Sequence, residues 1–464
     1  MKKLFPLILT FFLLTSCESP SLDSKKEVID IMMIGSASED TLERINAKIN
    51  EELVDYDFEV KISYTNNPSY DFKVSSLMLA NSLPDLFVVK NRSILTTIIE
   101  EGVATNLSSY LDDLSFKTNI SSSAEWSLVT YKEHPYAIPF NNKTEHRFAF
   151  AMNGEICEEL GIDETKITNL EELYDVLLQV KEVYKDIPVV TSNYKSFGSI
   201  FLWESIEEDS SNHGMSALSL DGSTEIKLLT EVDEFKNFSA LMRKWNKEGL
   251  IIEEPSFNKE SRLELVNAKK AFGGFCSYSY LLSSPDNIYK DKNTKYAFIG
   301  DWRLDNLDSN NMFVLSSKST KKEKALKALE EIYFNNEICK TLLYGIEGVD
   351  YTVDDKGELV QLANSSRYGT SAWCIPNNRR ILRDLDEKEN VYVLPSYGFW
   401  CDYSDFKKEN VLCKSVMDKY FDAIVSGQID TEAGISRCHE ELIESGARRL
   451  LEEEQRQFDL FLSK

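Results

Sequence analysis

Histidine is scarce in this chain: 464 residues hold four, His134, His146, His213 and His439, none at metal-ligand spacing. G-x-S-x-G, H-E-x-x-H and P-loop patterns are also missing, which leaves serine hydrolysis, zinc-protease chemistry and nucleotide hydrolysis without a sequence signal. Cysteine is sparse and scattered. Apart from Cys17, the chain has Cys157, Cys276, Cys339, Cys374, Cys401, Cys413 and Cys438, an odd number with no C-x-x-C. That pattern fits neither a disulfide framework nor a zinc site, and these thiols are expected as small buried hydrophobes. Positive charge is short as well. Lys and Arg number 52 against 77 Asp and Glu, a formal charge of −25, which argues against nucleic acid or an anionic membrane surface as a partner for the body of the protein. No metal and no cofactor is expected.

Apolar residues make up 42% of the chain and aromatics 11%, as in a folded globular protein. The length exceeds what one core usually serves, so two domains are expected. Residues 1–14, MKKLFPLILTFFLL, have the charged start and short apolar core of a secretory signal, too short for a membrane span. Leu14-Thr15-Ser16-Cys17 then resembles a bacterial lipobox, in which residues 1–16 are removed and Cys17 carries the lipid; the alternative is a plain signal peptide with an accidental cysteine. Two acyl chains suffice for a stable anchor. Residues 17–27, Ser-rich and charged, read as a tether, ten residues of which reach roughly 17 Å by random-coil scaling. The expected location is the extracytoplasmic face of the cell membrane, held by lipid alone.

Val28 to Ile34 is a nearly continuous apolar run, as expected of a buried parallel strand. Leu42, Ile45, Ile49 and Leu53 recur at helical spacing, and Phe58, Val60, Ile62 and Tyr64 alternate as a second strand. A helix over Asp71–Asn81 and a third strand over Asp85–Val89 complete βαβαβ, the opening of a doubly wound lobe. Further on, Thr168-x-x-Glu171 reads as a capping box, Asp233–Lys247 as an amphipathic helix, Lys321–Tyr344 as one long helix, and Asp354-Asp-Lys-Gly-Glu358 as a hairpin turn rather than a calcium loop.

Residues 131–162 organise the rest. A turn at Glu133-His134-Pro135, a short strand broken by Pro139, a polar bend at Asn141-Asn142-Lys143 and a strand from Phe148 to Met152 read either as a hinge between two domains or as a hairpin within one. Tyr136-Ala-Ile-Pro139, Phe150-Ala-Met-Asn153, Ile156 to Ile162 and Thr168 to Leu173 resemble the corresponding stretch of the extracellular solute-binding lipoproteins of carbohydrate ABC importers. Ser76 to Leu86 and Ala271 to Tyr278 add loose matches. The segment from Tyr344-Gly-Ile-Glu-Gly to Leu359 resembles the oligosaccharide or aldouronate subgroup most specifically.

That resemblance implies an α/β, periplasmic-binding-protein-like fold: two doubly wound lobes joined by a multi-stranded hinge, the type II arrangement. The expected first lobe is 28–139 plus about 296–345, the second about 146–295 plus about 346–464, with the hinge near 137–147 and 296–316. It also implies a monomeric receptor that captures an oligosaccharide by closing on it and passes it to importer permease subunits. Candidate ligand residues are Asn91, Arg92, Trp126, Phe140, Asn141, Trp203, Tyr278, Trp302, Trp373 and Trp400, since sugars need flat aromatic faces and convergent polar groups. Arg147, Arg303, Arg367, Arg379 and Arg380 leave room for a uronate. The alternatives are a surface glycosidase built on a carboxylate pair and a receptor for a non-sugar solute.

Overall fold

The computed structural model describes residues 26–120, 123–140, 146–190, 203–206, 214–253, 262–279, 293–304, 311–355, 359–362 and 392–463. Two sheets with separate cores account for most of them.

The first sheet runs in the order Phe58–Thr65, Glu27–Ile34, Leu86–Val89, Met312–Leu315, Ile138–Pro139. Its first three strands are parallel, and Met312–Leu315 lies antiparallel to both neighbours. Pro139, which has no N–H for a ladder, sits on the edge strand, where that loss is harmless. The expected βαβαβ is present. Ser38 caps the helix Glu39–Glu52, which buries Ile45 and Ile49, and Asn66 caps Asn67–Leu79 with a proline in its first turn. Asp85 ties this sheet together. Its carboxylate accepts the Asp30 N–H (3.0 Å) and the Ser319 hydroxyl (2.7 Å) and pairs with Lys321 at 2.8 Å, linking the chain's first strand to the turn after its returning one.

The second sheet is centred on His146–Asn153, with Gly273–Ser279 antiparallel along one side and Thr294–Phe298 antiparallel along the other. Phe148, Phe150 and Met152 point into the main core of this lobe, while Ala149 and Ala151 face a smaller cluster with Tyr278 and Trp302. Tyr296–Phe298, expected in the first lobe, therefore belongs to the second, because pairing with the central strand is what buries it. The boundary near 346 also shifts. Asp350 accepts the Ile346 N–H and meets Arg44 of the first lobe at 3.8 Å, and Tyr351 packs on Tyr344.

Among the described residues, two crossings between the lobes stand side by side. The chain leaves the first sheet at Phe140 and enters the second at His146; it returns between Leu304 and Asn311. Phe140 N–H donates to the Asn311 carbonyl (3.0 Å) on one side of the gap, and Arg303 pairs with His146 on the other.

Local detail corrects two sequence readings. Asn169, not Thr168, caps the helix Leu170–Val183, its side-chain oxygen accepting from Glu171 and Glu172, while Glu172 reaches back to Thr168. The long helix expected over Lys321–Tyr344 is two, Lys322–Phe334 and Asn336–Tyr344, because Asn335 stops one and caps the next. The helix Asp233–Lys247 has the expected bounds and buries Phe235, Phe238, Met242 and Trp245. Tyr351–Val353 and Leu359–Gln361 pair as a hairpin. Cys157, Cys276, Cys339, Cys401, Cys413 and Cys438 are all free and buried; Cys374 lies outside the described residues.

Glu330 gives the first lobe a pH-dependent brace. Burial would raise its pKa, but the Lys327 ammonium (2.5 Å) and the Ser115 hydroxyl and N–H (2.6 and 2.5 Å) outweigh burial and hold the carboxyl below its ordinary value. A depressed carboxylate contributes stability above its unfolded pKa and loses it as pH falls through the folded value. Glu330→Gln is thus expected to destabilise at pH 7, with its difference from the wild type shrinking as pH falls below the ordinary glutamate range, measured as urea midpoints across pH.

Candidate functional site

The lobes meet where the third strand of the first sheet ends. Asn91 follows Val89 and caps the helix Arg92–Glu100, accepting the Ile94 N–H at 2.9 Å. Arg92, the next residue, turns inward. Its guanidinium donates to the carbonyls of Leu128 (2.8 Å) and Thr130 (2.5 Å) and lies 4.3 Å from the ring centroid of Trp400, which comes from the second lobe. Two more contacts cross the seam: the Ser127 hydroxyl donates to the Gly398 carbonyl, and Lys407 pairs with Glu100 at 3.2 Å.

Beside these contacts is a cavity of about 320 Å³. The Arg92–Glu100 helix and its cap form one wall, with Asn91, Thr96 and Glu100; the other comes from Trp400 and Tyr403 and from the first turns of the helix Lys407–Val425, with Asn410 and Lys414. Cys401 also borders it. Burial first, and then the nearby Glu454, push that thiol far up, so it is not a thiolate at neutral pH and not a nucleophile.

Most of the aromatic and cationic candidates turn out to be structural. Arg92 is 1% exposed and committed to backbone carbonyls. Trp126 packs on the first core with its indole N–H on the Ile120 carbonyl at 2.9 Å. Phe140 is buried against Phe313, ring centroids 5.2 Å apart. Trp203, wholly buried, meets Phe235 edge-on at 5.3 Å in the second core. The structure places these four in the two cores and the seam. Tyr278 and Trp302 come together, 6.2 Å apart, in the small cluster on the second sheet, both nearly buried. Gly273 lets its own core come close: a Cβ there would lie 2.4 Å from the Phe150 ring. Arg147 donates to the Gly300 carbonyl at 2.7 Å. Asn91 and Trp400 are the two candidates brought to one cavity. Asn141, Trp373, Cys17, Arg367, Arg379 and Arg380 lie outside the described residues.

Thr96, Asn410 and Lys414 were missed. Each sits on a helix surface that reads as solvated, and the halves of the site lie some three hundred residues apart, so no local pattern could have found them. Among the described residues, no group of three or more His, Cys, Asp or Glu is placed to hold a metal ion.

Comparison with known proteins agrees with this architecture. Residues 395–463 match the family described as "Domain of unknown function (DUF3502)"; they form the C-terminal helices, two of which pack on Asp233–Lys247. A carbohydrate ABC transporter substrate-binding protein of Streptococcus pneumoniae is 23% identical over 467 residues, covering 93% of this chain and 88% of that one. Among solved structures, the N-glycan transport solute binding protein NgtS of S. pneumoniae superposes with a TM-score of 0.78 at 22% identity, covering 95% of this chain and all of that one. An HMO-binding ABC-transporter-associated protein of Bifidobacterium longum infantis gives 0.64 at 16% identity, over 95% of this chain and all of its own. The chain thus has the periplasmic-binding-protein-like fold of these solved structures.

Proposed function

We propose that this protein is the extracytoplasmic receptor of a carbohydrate ABC importer, anchored through a lipid on Cys17, that captures an oligosaccharide between its lobes and presents it to the permease subunits. The observation that carries the reading is the pair of adjacent crossings at the carboxyl edge of the first sheet, the place where open α/β sheets bind ligands. Connections set side by side let one lobe rotate on the other while both cores stay intact. A ligand touching both lobes favours the closed arrangement by the difference in its affinity for the two states. NgtS was crystallised with Man1GlcNAc and with Man5GlcNAc, which makes mannose- and N-acetylglucosamine-containing oligosaccharides the first to try.

Titration of the protein with such oligosaccharides and with uronate-containing ones, followed by tryptophan fluorescence and melting temperature, tests the reading. One of them is expected to saturate, to be recovered intact, and at a hundredfold excess over Kd to add about 2.7 kcal/mol of stability. Shortened sugar would make the protein an enzyme, and silence across the panel would remove the sugar-receptor reading. For the anchor, Cys17→Ala is expected to move the chain from the membrane fraction to the soluble one; retention on the membrane would refute lipidation at that residue.

A further inference from the structure

We propose that the C-terminal segment matched as a domain of unknown function, residues 395–463, is a clasp: its first loop grips the first lobe, its last helix stiffens that loop, and together they set the resting angle between the lobes without any ligand. The inference goes beyond the receptor reading and needs no sugar.

The seam contacts described above come from one stretch of the second lobe, Gly398 to Lys407. The Gly398 carbonyl accepts the Ser127 hydroxyl, the Trp400 ring lies 4.3 Å from the Arg92 guanidinium, and Lys407 pairs with Glu100 at 3.2 Å. Their partners sit on two helices of the first lobe, Ser123–Val129 and Arg92–Glu100. Arg92 ties those helices together by donating to the Leu128 and Thr130 carbonyls, so the gripped surface moves as one unit.

The gripping loop is held from behind by the helix Ala447–Leu462. Phe399 packs on Phe458 and Phe461, ring centroids 4.9 and 5.5 Å away. Gln457 accepts the Asp402 N–H (2.8 Å) and donates to the Asp402 carbonyl (2.9 Å), so one side chain occupies both backbone groups of a loop residue. The Tyr403 hydroxyl donates to Glu454 at 2.6 Å. Just before the loop, the Ser396 N–H donates to the buried Glu204 at 2.5 Å. A loop fixed in this way transmits force where a free one would bend. The ion pair contributes little alone, since Lys407 is 67% exposed, and the Trp400 contact is the main grip. Such a contact is small beside the stability of a lobe and comparable with the gap between two lobe arrangements. On the receptor reading, the clasp thereby tunes apparent affinity, which scales with the fraction of chains in the binding-competent arrangement.

The test uses ligand-free full chains in detergent. Nitroxides are attached at one exposed position per lobe through Glu43→Cys and Asp175→Cys, with Cys374→Ala in every sample; the six described cysteines are buried. Pulsed electron paramagnetic resonance then gives the distribution of distances between the lobes. Trp400→Ala removes the grip, and Gln457→Leu removes a brace whose hydrogen bonds, among the described residues, stay within the second lobe. Each is expected to widen the distribution about twofold, and the two together no further than either alone, because both act through one loop. Glu100→Lys is expected to widen it less, with Lys407→Glu added to it restoring the original width. Lys419→Ala breaks an exposed pair with Glu441 away from the loop and should change nothing. A width indifferent to Trp400→Ala in chains that still melt cooperatively overturns the proposal, as does equal widening by Lys419→Ala. Widening by Trp400→Ala without widening by Gln457→Leu overturns the role given to the last helix. If Trp400→Ala or Gln457→Leu fails to fold, Glu100→Lys and its rescue decide, and no change in that pair overturns the clasp. The receptor reading stands or falls separately, on the sugar titration.

Discussion

Gly427→Ala is expected to destabilise the second lobe by about 2–5 kcal/mol, on mechanisms that add. Gly427 follows the helix Lys407–Val425 at φ +68°, a left-handed conformation that costs a residue with a Cβ about 1–2 kcal/mol. A Cβ there would also lie 2.3 Å from the carbonyl oxygen of Met242 and 2.5 Å from its carbon, both backbone atoms of the helix Asp233–Lys247 that cannot turn away. The approach is held in place by Arg243, whose guanidinium donates to the carbonyls of Gly427 (2.8 Å) and Gln428 (3.2 Å). Overpacking against fixed backbone costs about 1–3 kcal/mol more. The control is Gly222→Ala: φ is +87°, but nothing lies within 4 Å of a Cβ there, so the strain remains and the clash does not. Urea midpoints of the two variants therefore isolate the helix contact. Equal losses would mean that the C-terminal helices do not press on Asp233–Lys247 as described.

Where the sequence speaks through a local period it speaks clearly. The strands Glu27–Ile34 and Phe58–Thr65 and the helix Asp233–Lys247 carry their burial patterns in their own residues, and Pro139 declares an edge strand by the donor it lacks. Boundaries decided by competition between neighbours are harder. Asn335 can end one helix or begin another, and only the packing of Ile332 and Ile338 into the same core shows that it does both. Tyr296–Phe298 is an apolar run that would suit either sheet, and pairing with His146–Asn153, far back in the chain, assigns it. The site is least legible of all. Large aromatics attract attention as ligand platforms, yet Trp203 and Phe140 are the residues that fill cores best, because they bury the most area. The seam cavity is lined instead by residues such as Thr96 and Asn410, on helix surfaces some three hundred residues apart that come together only where the two lobes meet.

Arg92→Ala is expected to cost about 3–5 kcal/mol, and the size of that loss decides what the arginine is for. Its guanidinium answers the Leu128 and Thr130 carbonyls where the chain approaches the first crossing, and each buried carbonyl left without a donor costs about 1–3 kcal/mol. The stacking on Trp400 adds about 0.5–2 kcal/mol and crosses from one lobe to the other. Trp400→Ala removes the second contribution and keeps the first, so it should leave the first lobe nearly as stable while weakening the seam. In a double-mutant cycle the pair should couple by about 1 kcal/mol, since each substitution deletes the same contact. A ligand-binding arginine would behave otherwise: Arg92→Ala would leave the unliganded protein melting as before and lose only sugar affinity. The unliganded melting temperature therefore separates the brace from the binding residue, and a large drop in it means that any loss of sugar affinity follows from a seam that no longer holds its shape.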